Sequence, residues 1–327
     1  MKTLYPLQFE PIFKYRIWGG DQLKDILHKN TDQSQIGESW EISNVEGDVS
    51  TVKNGELKGA SLRTLIEDYK EALVGKRVYE TYKSDFPLLI KFIDANLPLS
   101  VQVHPDDDLA RKRHNSFGKN EMWYIMNADA EANLVMGLKE SVTKETYQQA
   151  VANEEIGALL NHTPVNKGDT YYIPAGKVHA IGAGILLAEI QQSSDITYRI
   201  YDYDRVDSKT NQKRELHLDQ ALDAIDFDSS DNQPVSYNTT LNTPEKLVHT
   251  PYFKTDILAI DGSMAEDATN TDTFIIYMNV GDVEVTFKVG DAISTLKKGE
   301  TLFMPATITN FTVQSKAKAT LLKVYMG

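Results

Sequence analysis

Gly168-Asp-Thr-Tyr-Tyr-Ile-Pro174-Ala175 returns later in the chain as Gly299-Glu-Thr-Leu-Phe-Met-Pro305-Ala306, with glycine, acid, threonine, proline and alanine in register. Upstream, Tyr124-Ile-Met-Asn127 is echoed by Ile276-Tyr-Met-Asn279. Such self-similarity is the mark of a duplicated unit. Each unit reads as short alternating runs broken by Gly, Asp, Asn and Pro, the pattern of a β-sandwich or small barrel. We therefore expect a mainly β protein of two jelly rolls in tandem, over 1–235 and 236–327, with the polar, turn-rich stretch 228–243 as linker. Helical insertions fall in the first unit. Ser61 caps an apolar-periodic run through Leu73, Ser141 to Leu160 forms a second with Thr143 as a possible cap, and Asp219 to Ile225 a weaker third.

The two copies differ where chemistry would sit. Carrying Gly168 to His179 into the second copy lands on Asn310, and carrying Asn127 back to Glu121 lands on Thr273. The second copy keeps turns and apolar pattern but has lost both polar residues, so the first is expected to be catalytic and the second structural. In Leu99-Ser-Val-Gln102-Val-His104, strand alternation sends Gln102 and His104 to one face. Gln102, His104, Glu121 and His179 are four N/O donors on separate strands and turns, a set suited to a borderline divalent metal such as zinc in an open site. An open coordination position implies contact with a substrate. His28, His114, His162, His217 and His249 lack such a setting.

Composition narrows the partners. The 327 residues are 41% hydrophobic, enough for a sizeable core. Lys+Arg 34 against Asp+Glu 47 gives a net charge of -13, which argues against nucleic acid or an anionic membrane surface but not against a small anionic substrate. With no cysteine, disulfides and thiolate metal staples are excluded. The opening residues lack a signal-peptide apolar stretch, and no apolar run reaches about 18 residues, so a cytoplasmic protein is expected. The sequons at Asn161, Asn238 and Asn310 then read as chance.

Several further motifs occur in order: Gly37-Glu-Ser-Trp40-Glu41, Pro87-Leu-Leu-Ile-Lys91, Pro98-Leu-Ser100-Val-Gln102-Val-His104-Pro105-Asp106, Lys119-Asn-Glu121-Met-Trp, Gly168…Pro174-Ala-Gly176…His179-Ala180 and Glu189-Ile-Gln-Gln-Ser-Ser-Asp195-Ile-Thr-Tyr-Arg199. Together they resemble type I mannose-6-phosphate isomerase, a zinc enzyme of the cupin superfamily, from about Pro11 to Arg205 and more loosely to the C-terminus. The compact length resembles the short bacterial branch. The resemblance implies one zinc ion per chain on Gln102, His104, Glu121 and His179, and Arg199 as the catalytic arginine. It places Lys91, Ser100 and Lys119 around the substrate and its phosphate, with Glu189, Lys119 and Arg199 in the catalytic group and Asp195 in substrate binding. The longer enzymes carry tyrosine two residues after the last His ligand, and Ile181 stands here, so that tyrosine's role does not transfer.

Read without the resemblance, the same residues leave alternatives open. Lys91 lies in an apolar run and must either reach an anion or point outward. Glu38, Trp40 and Glu41 read either as active-site lining or, the reading preferred here, as a core tryptophan flanked by turn acids, and Arg199, between Tyr198 and Tyr201, reads as an arginine stacked on aromatics. The reaction implied is aldose–ketose isomerisation of a hexose 6-phosphate through an enediol-type intermediate. Its base is open among Glu189, Asp195, a lysine of lowered pKa and a water on the metal. Competing classes are an iron-dependent dioxygenase, a non-catalytic sugar-binding protein and an isomerase of unphosphorylated mannose. Monomer and homodimer are equally compatible with the sequence.

Overall fold

The computed structural model describes residues 2–229 and 231–327. Short alternating runs pair antiparallel throughout the first unit and form two facing sheets. One holds, in spatial order, Ile12–Gly20, Ile36–Ile42, Leu88–Ala95, Ile185–Gln192, Glu121–Ala128 and Thr170–Ile173; the other holds Tyr198–Tyr201, Val101–Val103, His179–Ile181, Asn133–Leu138 and Leu160–Pro164. The central strand Leu88–Ala95 is buried along its whole length because both of its faces are covered. Leu88, Ile90 and Phe92 enter a core shared with the second unit, whereas Lys91 and Ile93 face the cleft between the sheets.

The second unit wraps around two long strands, Lys254–Asp267 and Asn310–Tyr325, flanked by Pro244–His249, Ile275–Asn279 and Thr301–Met304. The hairpin Val285–Val289 and Ala292–Leu296 attaches to the second long strand. Leu258, Tyr277, Phe287, Leu302 and Phe311 fill its interior. Its outer face, with Ile257, Ile276, Phe303 and Leu322, packs on Leu88, Ile90, Phe92 and Ile190 of the first unit. Full burial of each such side chain is worth about 1.5–3 kcal/mol, so this shared face is a strong weld. Leu7, which precedes the first strand of the first unit, exchanges both backbone hydrogen bonds with Phe303, each 2.8 Å.

The turn that opens each repeat is the same device twice. Gly168 and Gly299 take φ +95 and +75, in the left-handed region that glycine tolerates. The following acid closes the turn with its side chain: Asn166 N donates to Asp169 Oδ2 and Lys297 N to Glu300 Oε2, both 2.8 Å. The Asn127–Asn279 echo, however, slips by two residues. Gly168 N donates to Ile125 O where Gly299 N donates to Asn279 O, and the ladders pair Glu121 with Ile173 but Ile275 with Met304. The structural counterpart of Glu121 is thus buried, apolar Ile275 rather than Thr273.

The first helical insertion is three short helices, Leu62–Tyr69, Glu71–Val74 and Lys76–Tyr82, because Lys70 and Gly75 adopt positive φ. Ser61 caps the first, accepting from Thr64 N. Thr143 caps Lys144–Ala152 in a reciprocal box with Thr146, and the run ends in a 3-10 turn at Ile156–Leu159. Leu218–Ala224 is the third. Gln22–Asp25 and Asp107–His114 are further helices that apolar periodicity does not reveal. No helix among the described residues is long and apolar enough to cross a membrane.

Candidate active site

Strand register builds the site in rows. Trp40, Lys91, Glu189, Trp123 and Tyr171 lie abreast across five neighbouring strands of one sheet. Across the cleft, Arg199, Gln102 and His179 lie abreast on three strands of the other. Two residues further along the same faces stand Glu121 and His104, as strand alternation requires. Sheet pairing therefore brings together residues as distant in sequence as Lys91 and Glu189.

His104, Glu121 and His179 converge with ligand atoms all within 4.8 Å of one another. Glu121 Oε2 lies 3.5 Å from His104 Nε2, and Oε1 lies 3.3 Å from His179 Nε2. Each imidazole is oriented from behind: His104 Nδ1 donates to Ile196 O at 2.9 Å and His179 Nδ1 to Lys177 O at 2.8 Å. That assigns the proton to Nδ1 and turns both Nε2 lone pairs inward, the usual arrangement of metal-ligating histidine. The residues fit a cation on a further count. His104 Nε2 and both Glu121 oxygens are buried without a hydrogen-bond partner, a costly condition that a metal ion relieves. Burial, reinforced by Glu189, pushes the Glu121 carboxyl up to about 8, while burial drives His179 down to about 3. Neutral imidazoles around a buried carboxyl, which a cation would hold in its ionised form, make a receptive cation site. The Gln102 amide stands 3.2 Å from His179 Nε2 at the edge of the group, and an amide presents oxygen or nitrogen by a half-turn.

Beside this cluster opens a cavity of about 430 Å3, within the range of small-molecule sites. Lys91, Ser100, Lys119, Glu189, Asp195 and Arg199 all line it together with Gln102, so the structure gathers in one cavity the residues that the resemblance assigned to catalysis and substrate binding. Lys91 does not point outward. Its Nζ is 3.0 Å from Glu189 Oε1 and 3.9 Å from Glu38 Oε2, and it lies over the Trp40 ring. Glu189 also accepts from Trp123 Nε1 at 2.8 Å. Burial alone would raise the Glu189 carboxyl, but Lys91 and Lys119 hold it below its ordinary value. Lys119 Nζ is 3.5 Å from Glu121 Oε2. Arg199 is held by its own edges: Nε donates to Ser100 Oγ at 3.3 Å and Nη1 to Glu215 O at 2.8 Å. Asp195 is exposed at the rim.

Glu38 and Trp40 line the cavity, the alternative to their preferred reading as a core tryptophan and turn acid. Trp40 Nε1 donates to Glu38 Oε2 at 2.6 Å, and Arg16 Nε donates to Glu38 Oε1 at 2.8 Å. Glu41 is buried elsewhere, against Lys29 at 2.6 Å. Arg16, Trp18 and Arg214 also line the cavity and went unnoticed in the sequence, where no motif or alternation marks them. Ile181 lies in the cavity wall.

Two fused jelly rolls, one holding a His-Glu-His cluster beside an open cavity, define a metalloenzyme of the cupin class. The family model for the catalytic domain of type I phosphomannose isomerase matches residues 6–151. A mannose-6-phosphate isomerase of Streptococcus mutans is 36% identical over 304 residues, 93% of each chain, and one of Bacillus subtilis 34% identical over 322 residues, 97% of this chain and 98% of that one. The chain belongs to the type I phosphomannose isomerase family. The crystal structure of a Bacillus subtilis mannose 6-phosphate isomerase, 31% identical, superposes with a TM-score of 0.87 over 98% of this chain and 99% of that one. A putative mannosephosphate isomerase of Archaeoglobus fulgidus, 22% identical with a TM-score of 0.79 over 98% of each chain, shares the fold.

Proposed function

We propose that this chain interconverts mannose 6-phosphate and fructose 6-phosphate, using one zinc ion held by His104, Glu121 and His179 with Gln102 as the fourth donor. The observation that carries the reading is the convergence of the buried, unpartnered donor atoms of His104 and Glu121 with His179, beside a cavity lined by Glu189 and Arg199. Bound zinc would supply Lewis-acid polarisation of a sugar oxygen and stabilise the negative charge that develops there. Glu189 is kept ionised by Lys91 and faces the cavity, so it takes the proton from C2 and returns it to C1 through an enediol-type intermediate. Arg199, always protonated and fixed by Ser100 and the Glu215 carbonyl, donates to the same developing oxyanion.

Charge accounting supports one end of the cavity as the phosphate site. Lys91 is shared by two carboxylates, Lys119 faces Glu121, and Arg16 faces Glu38. Arg199 faces no carboxylate in its hydrogen bonds, and Arg205 and Arg214 share the single Asp202. With Arg199 committed to the oxyanion, Arg214 on the same wall, sharing Asp202 with Arg205, is the cation that supports placing the phosphate dianion at that end of the cavity. Asp195, on the rim, is placed to accept from sugar hydroxyls.

The test is a coupled assay of mannose 6-phosphate turnover on metal-replete protein, repeated after chelation and after zinc is restored. Turnover lost with the metal and regained with zinc is the expected result. Undiminished turnover by metal-free protein would overturn the zinc assignment, and oxygen consumption with bound iron would favour the dioxygenase class instead.

A further inference from the structure

We propose that Trp123 is a positioning residue that sets the Glu189 carboxylate against the metal centre; this rests on the reading of Glu189 as the proton-transfer group. Trp123 is completely buried and its indole has one donor, Nε1–H, which is spent on Glu189 Oε2 at 2.8 Å. Its ring stands edge-on to the imidazole of His179, centroids 5.5 Å apart at 73°. One rigid bicyclic side chain thus touches both the carboxylate and a metal ligand. With Oε2 tied to the indole, Glu189 is left with Oε1, the oxygen that meets Lys91 at 3.0 Å. The carboxylate has lost its freedom to rotate, and its orientation is fixed relative to His179.

The duplicate offers an internal comparison. Trp123 pairs with Tyr171 and Glu189; in the second unit Tyr277 pairs with Leu302 and Lys323. Tyr277 is therefore the counterpart of Trp123, and its cross-strand neighbour is a cation that cannot accept a hydrogen bond. Tyr277 also has a carboxylate near it, Glu266, but that group comes from another strand and is paired to Lys323. Here the indole donor occurs in the copy whose neighbouring strand supplies an acceptor and whose facing sheet supplies the metal ligands.

Trp123→Phe keeps an aromatic ring in place and removes the donor. The expected result is a kcat lower by about 10–100-fold, the usual cost of losing such a supporting partner, with KM and metal content unchanged. Combined with Glu189→Gln, it should cause no further loss, because a residue acting through Glu189 has nothing left to position. An independent readout needs no turnover. The chain has 3 tryptophans, so the indole N–H resonance of Trp123 is assigned by eliminating those of Trp18→Phe and Trp40→Phe. It should move in Glu189→Gln, and this measurement stands even where Trp123→Phe does not fold. An unmoved resonance, a normal kcat in Trp123→Phe or fully additive losses would overturn the proposal. Full activity in Glu189→Gln would instead sink the proton-transfer reading, and the proposal with it.

Discussion

Lys91 Nζ and Glu189 Oε1 lie 3.0 Å apart on adjacent strands, and neither residue is more than 5% exposed. Lys91 also serves Glu38, so one ammonium neutralises two buried carboxylates. Removing it in Lys91→Met leaves buried charge without compensation. The expected loss of stability is about 3–5 kcal/mol by denaturant titration, together with loss of turnover as the Glu189 carboxyl moves upward. Wild-type stability in that variant would show that the lysine is not the counter-charge.

Glu38 links this group to acid stability. Burial would raise its carboxyl, yet Lys91 and Arg16 bring it down to about 2, from an ordinary value of 4.5. A depressed folded-state value means that its contribution is present above pH 4.5 and is lost as pH falls from there toward 2. Glu38→Gln should be less stable than wild type at neutral pH and converge with it near pH 2. Thermal midpoints across that range check the sign; a constant gap would refute it.

The metal ligands and Arg199 should separate cleanly. His179→Ala removes a buried donor from the triad and should lose bound metal by elemental analysis. Arg199→Ala should retain it while lowering kcat by about 10²–10³, as expected for loss of a fixed oxyanion donor. Metal loss in the arginine variant would reassign Arg199 to structure.

Gly75 tests the weld between the two units. Its φ is +90, and a Cβ there would collide with the backbone oxygen of Asp272. Gly75→Ala should destabilise by more than about 1 kcal/mol through backbone strain and that clash. A normal thermal midpoint would mean that the first helical insertion slides freely over the second unit.

The duplicated turn was legible because glycine and acid each have a local job there, independent of the rest of the chain. Gln102 and His104 were legible because alternation is a property of one strand. The direction of Lys91 was not, since it depends on which strands flank it, and Glu38 and Trp40 were misread for the same reason. The position corresponding to Glu121 was misplaced by two residues because Asn127 and Asn279 are alike as letters, while the hydrogen-bonding register matches Ile125 to Asn279. Asp107–His114 escaped because it is short and polar, with just one buried residue, Ala110.

The antiparallel bridge between Leu7 and Phe303 ties the approach to the catalytic wall to the unit that lacks the metal site. Strand Ile12–Gly20, which supplies Tyr15, Arg16, Ile17 and Trp18 to the cavity, begins five residues after that bridge. The wall is thus moored to the far unit, and a fragment ending at the linker would retain every ligand yet leave one side of its cleft adrift. The unit without a metal site is best regarded as the keel of the active one.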